Sequence, residues 1–178
     1  MDGNVFGITR RQAAAGIAVG LGNLIIAPVA SAQQPAMQET PSTGANASRT
    51  SLHQEIDLAA APQRIFDVLL DAKSFAAMTG MAAQIDPKAG GTFTMFGGMI
   101  EGRNVELIAG QRIVQAWRPA SWDPGVYSIA HFEFKASGAG TRLVLNHTGF
   151  PEGDFDHLDA GWHVHYWEPM KKYLAAQG

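Results

Sequence analysis

Phe155-Asp156-His157-Leu158-Asp159-Ala160-Gly161-Trp162-His163-Val164-His165-Tyr166-Trp167-Glu168-Pro169-Met170-Lys171-Lys172-Tyr173-Leu174 lies at the end of a chain of 178 residues. Within it Phe155, Leu158, Trp162, Tyr166, Met170 and Tyr173 or Leu174 recur every three or four positions, the period of a helix with one apolar face. Pro169 removes a backbone donor and crowds the preceding turn, so it predicts a kink. A helix with so aromatic a face needs a large partner surface, and the upstream residues supply one.

Turn signals recur through the middle of the chain: Asp86-Pro87, Gly90-Gly91, Gly97-Gly98, Ala109-Gly110, Asp123-Pro124-Gly125 and Ser137-Gly138-Ala139-Gly140. The runs between them are rich in β-branched and aromatic residues, which predicts an antiparallel meander with strands at about 83–86, 92–97, 100–107, 111–118, 126–136 and 141–148. Further upstream, Leu52, Ile56 and Leu58 alternate with Ser51, His53, Glu55 and Asp57, a first strand with one wet face. Pro62 opens a short helix carrying Ile65, Phe66, Leu69 and Leu70, and a second runs from Ala72 to Met78 and stops at Gly80. The expected architecture is α+β: a curved antiparallel sheet of about 6–7 strands around a long C-terminal helix, with two short helices after the first strand. A sheet curled around one helix leaves a cavity at its open end, where function is expected.

Ahead of this domain, Thr9-Arg10-Arg11-Gln12 precedes a weakly hydrophobic run, Ala13 to Val29, that ends at Ala30-Ser31-Ala32. The order basic, apolar, small is that of a twin-arginine export signal over residues 1–32, which predicts a periplasmic or secreted bacterial protein with no membrane span after processing. Residues 33–48 are rich in Gln, Pro, Thr, Ser, Gly and Ala and read as a flexible linker. Residues 49–178 form the folded domain.

Composition narrows the function. Net charge is −3 with both signs interspersed, so no nucleic-acid footprint is present. The absence of cysteine excludes disulfides, thiolate metal sites and cysteine nucleophiles. His163 and His165 are two apart and face different sides of a helix, so with His157 they make a poor metal set, and no metal is expected. His165 and Glu168 are three apart and can pair on the surface. Phe96-Gly97-Gly98 lacks the Lys-Ser/Thr continuation of a phosphate loop and reads as a hairpin turn. No cofactor is implied.

Ile85-Asp86-Pro87 with Gly90-Gly91, Phe96-Gly97-Gly98-Met99-Ile100-Glu101-Gly102, Arg112-Ile113-Val114-Gln115-Ala116-Trp117-Arg118, Ser121-Trp122, Gly140-Thr141-Arg142-Leu143, Gly161-Trp162 and Tyr166-Trp167-Glu168-Pro169 occur in this order. Together they resemble the domain of activators of the heat-shock-protein-90 ATPase, a branch of the START-like or SRPBCC superfamily, over roughly residues 52 to 175. The resemblance implies a helix-grip fold. It leaves function open, since the superfamily holds lipid carriers, small-ligand binders, cyclases, oxygenase domains and co-chaperones. An exported protein would meet neither that chaperone nor ATP, which ranks the co-chaperone role below ligand binding.

Strand alternation then nominates the site. Arg112 and Arg118 mark one face of the 111–118 strand, turning Ile113, Gln115 and Trp117 inward, and Arg142 marks the outer face of the strand that turns Leu143, Leu145 and His147 inward. Ser128 belongs to the inward set of the 126–136 strand, and Trp162 and Tyr166 face it from the helix. The expected ligand-binding set is therefore Gln115, Trp117, Ser128, His147, Trp162 and Tyr166, with a small apolar ligand between sheet and helix and Trp122-Asp123-Pro124-Gly125 as a lid. Two alternatives stand beside it. One is a cyclase, dehydratase or isomerase using His147 as base, its only catalytic candidate; the other is an interaction domain with a protein partner or a second copy.

Overall fold

In the computed structural model of the chain, residues 48–177 are described. The expected signal, and all of the expected linker except Ser48, lie outside them. Strand β1 (Ser51–Leu58) is followed by helices α1 (Pro62–Leu70) and α2 (Ala72–Thr79), then β2 (Gln84–Ile85), β3 (Thr92–Met95), β4 (Ile100–Ile108), β5 (Arg112–Pro119), β6 (Ser128–Ser137) and β7 (Gly140–Thr148). Helix α3 (Phe155–Gly161), a π-helical turn (Trp162–Trp167) and α4 (Glu168–Ala175) follow one another without a break. All strand pairs are antiparallel, in the order β1-β7-β6-β5-β4-β3-β2, so the first strand closes one edge beside the last.

Local chemistry explains the elements. Residues of β1 alternate strictly between exposed and buried, as the period-2 pattern requires. Pro62 sits in the first turn of α1, where its missing N–H costs nothing. Asp71 caps α2 by accepting from the Ser74 N–H at 2.8 Å, and that bond holds its carboxyl below the usual carboxylate range. Gly80, in the left-handed conformation at φ 73°, ends the helix. Gly102 in β4 lies so close to β5 and β3 that a Cβ would stand 2.1 Å from the Ala116 carbonyl oxygen and 2.4 Å from the Phe93 ring.

Three sequence expectations need correction. The strand expected over 92–97 stops at Met95, because Phe96 and the two following glycines all take positive φ and turn the chain into β4. The strand expected from 126 starts at Ser128. At Pro169 the helix continues; the disturbance appears one turn earlier, as the π-helical turn in which the Glu168 N–H bonds the His163 carbonyl. That wider winding also alters the spacing of the surface side chains. Glu168 pairs with Lys171 at 3.6 Å, while His165 packs edge-on against Phe96.

The space between the concave sheet face and the helix is filled along most of its length. Trp162 and Trp167 stack at 5.6 Å, with Phe132 edge-on to both. Gln54, at an inward position of β1, ties sheet to helix: its Nε2 donates to the Asp159 carbonyl (3.0 Å) and carboxylate (2.7 Å), and its Oε1 accepts from the Trp167 indole at 2.5 Å. Among the described residues no helix is long and apolar enough to cross a membrane.

Candidate functional site

One end of the sheet–helix interface is left open as a cleft of about 350 Å³. The β3–β4 hairpin supplies one side through Phe96, Met99 and Ile100, and the chain leaving β5 supplies another through Pro119, Ala120 and Ser121. The helix contributes His157, Leu158, Gly161 and His165, and Trp117, Trp162 and Tyr166 form the floor. Gly161 adds no side chain to this space: its φ/ψ of −60° and −41° are ordinary for a helix, and a Cβ there would meet nothing within 4 Å. Met99, 55% exposed, stands at the mouth.

The polar atoms of the floor are paired with one another. Trp117 Nε1 donates to the Tyr166 hydroxyl at 3.4 Å, and that hydroxyl points at Met95 Sδ at 3.9 Å. Burial pushes the Tyr166 phenol well above its ordinary value. Trp162 Nε1 donates to His147 Nδ1 at 3.1 Å.

Three of the six expected site residues, Trp117, Trp162 and Tyr166, line the cleft; Gln115, Ser128 and His147 do not. His147 has no exposed surface and sits behind the floor, edge-on to Trp117 and Trp162. An indole N–H only donates, so His147 Nδ1 is the acceptor and the neutral ring carries its proton on Nε2. That proton goes to Ser128 Oγ at 2.6 Å, and Ser128 passes its own to the Trp117 carbonyl at 2.9 Å. The chain is complete, and burial lowers His147 to about 3. In this arrangement the one lone pair of the His147 ring is occupied by the Trp162 indole, and the ring has no exposed surface. Gln115 reaches a different partner: its Nε2 donates to Asn104 Oδ1 at 3.0 Å, and Asn104 Nδ2 donates to the Asp86 carbonyl at 2.9 Å, fastening the 86–91 loop to the sheet. Alternation correctly turned all three inward; their neighbours along the strand axis determined that they meet protein.

The expected lid is also placed differently. Pro119 to Ser121 form the wall, while Trp122 packs against Trp117 (5.9 Å) and donates to Asp154 Oδ2 at 2.5 Å. Arg118, on the face opposite the inward residues, is only 8% exposed; it donates to Glu101 and the Trp122 carbonyl and lies against Tyr127, bracing the wall from behind. Alternation alone missed the hairpin residues Phe96, Met99 and Ile100, the wall Pro119 to Ser121, and His157, Leu158, Gly161 and His165 on the helix. A glycine flanked by histidines at helical spacing in an otherwise aromatic face was the available signal. Among the described residues no three His, Asp or Glu side chains gather as a metal site.

Comparison with known proteins gives a consistent lineage. The family model "Activator of Hsp90 ATPase homolog 1-like protein" matches residues 59–175. An activator of 90 kDa heat shock protein ATPase homolog from Dictyostelium discoideum is 32% identical over 102 residues, covering 57% of this chain and 27% of its own length. A mouse activator homolog 2 is 29% identical over 92 residues, 52% of this chain and 28% of its own. The chain thus spans under a third of the length of these relatives. Among solved structures, an HSP90 activator from Plasmodium falciparum superposes with a TM-score of 0.68 at 25% identity, covering 71% of this chain and 97% of that one. The solution structure of an Aha1 dimer from Colwellia psychrerythraea superposes at 0.61 and 16% identity, covering 73% and 100%, and shares the fold.

Proposed function

This chain belongs to the family of activator of Hsp90 ATPase homolog 1-like proteins, and from that premise we propose that it is a binding module whose cleft holds a small, largely apolar ligand. The observation that carries the reading is the unfilled space of about 350 Å³ between hairpin, wall and helix, within the range of ligand pockets and floored by three aromatic rings. Gly161 provides the test. In Gly161→Leu the side chain would extend into that space from an unstrained helical backbone. Titration with the uncharged fluorophore N-phenylnaphthylamine should show saturable binding to the natural chain and its loss in Gly161→Leu, with far-UV circular dichroism unchanged. Equal binding by both chains would remove the cleft as the site.

A second reading rests on the relatives: a co-chaperone-like domain acting on a protein partner, or pairing with a second copy. Ile129 and Val105 are exposed apolar strand residues that a partner could cover. Stimulation of a heat-shock-protein-90 ATPase by this chain, unaffected by Gly161→Leu, would favour it over the cleft. Export belongs to the proposal too, supported by Thr9-Arg10-Arg11-Gln12 and the apolar run that follows. Replacing Arg10 and Arg11 by Lys should retain the protein in the cytoplasm on cell fractionation.

A further inference from the structure

Building on the ligand-binding reading, we propose that the cleft takes an amphiphile tail-first, with its apolar chain over Trp117 and Trp162 and a carboxylate head at the mouth between His157 and His165. The distribution of unused hydrogen-bonding capacity carries the inference. At the floor, both indole N–H groups and the Tyr166 hydroxyl are already engaged, to Tyr166, His147 and Met95 respectively. A ligand reaching them meets ring faces only. A polar head placed there would give up water without replacement, at roughly tenfold to a hundredfold in affinity.

The mouth is the reverse. His157 and His165 both line the cleft from the exposed side of the helix, and among the described residues neither ring makes a hydrogen bond or ion pair with protein; the one ring contact of His165 is its edge-on packing on Phe96. Each imidazole can present one N–H to an acceptor oxygen, and an acceptor-only head such as a carboxylate matches those donors. Among the described residues no Lys or Arg lines the cleft to meet a doubly charged phosphate.

Calorimetric titration of octanoate and octanol into the natural chain and into a His157→Ala/His165→Ala double variant tests this. In the natural chain octanoate should bind about tenfold or more tighter than octanol, as charge-assisted hydrogen bonds do, and the ratio should fall toward one in the double variant. Each methylene removed from the acid should cost about fourfold. Equal binding of acid and alcohol by the natural chain, or a preference that survives in the double variant, would overturn the head placement while leaving the ligand reading intact. Binding of neither compound, together with no uptake of N-phenylnaphthylamine, would sink both.

Discussion

The Trp162 indole donates to Nδ1 of His147 across a fully buried contact of 3.1 Å, joining the helix to the penultimate residue of β7. This one bond determines the tautomer of the imidazole, and with it the direction of every proton from Trp162 through Ser128 to the Trp117 carbonyl.

His147 should therefore remain neutral, protonated on Nε2, down to about pH 3. Its pKa in the folded chain lies below the unfolded value of about 6.5, so the unfolded state binds the extra proton first. The stabilisation it contributes is present above pH 6.5 and declines as pH falls toward 3, by up to about 1.4 kcal/mol per pH unit within that window. Nitrogen-15 chemical shifts of the ring across pH 4 to 8 check the tautomer; a ring that titrates near 6.5 in the folded protein contradicts the assignment.

Gly161 should be worth replacing. It occupies ordinary helical backbone with open space where a Cβ would go, so Gly161→Ala loses nothing sterically and restricts the unfolded chain. Stability should rise by about 0.5–1 kcal/mol, read as a higher urea midpoint at unchanged slope.

Gln54 satisfies three groups at once, on Asp159 and Trp167. Gln54→Leu keeps the volume but strands the buried Trp167 N–H, and should lower stability by about 1–3 kcal/mol. A change within a few tenths would mean that water or a neighbouring acceptor replaces the amide.

The Trp122 side chain fastens the β5–β6 loop to the start of α3 through Asp154. Asp154→Ala should speed exchange of the Trp122 indole proton and increase loop mobility by NMR relaxation, while the unfolding free energy falls by about 1.5–3 kcal/mol, the usual net worth of a hydrogen bond to a charged group. An unaltered exchange rate would show that packing on Trp117 alone holds the loop.

Much of this was legible in the residues. The alternation in β1 and β6, the inward faces of β5 and β7, the helical spacing from Phe155 to Leu174, and Gly80 as a helix stop read through correctly, because each reports a local period or a local backbone requirement, whereas Arg118 and Val144 on the outward faces are buried by other segments. The site was only half legible. Trp117, Trp162 and Tyr166 were reachable by parity and spacing, but the same parity promoted Gln115, Ser128 and His147, which turn inward onto Asn104, Trp117 and Trp162. Gln54 shares the inward parity of Leu52 and Ile56, so the strand pattern placed its side chain but not its partners on the helix.

By itself the sequence determined which faces are apolar, where the chain turns, and so the kind of sheet and helix that must pack together. Only the tertiary structure decided which inward side chains meet protein and which meet empty space. Periodicity acts through bonds along a single segment, whereas the cleft is lined jointly by the hairpin bent at Phe96, the chain leaving β5 and the helix around Gly161, segments far apart in the chain.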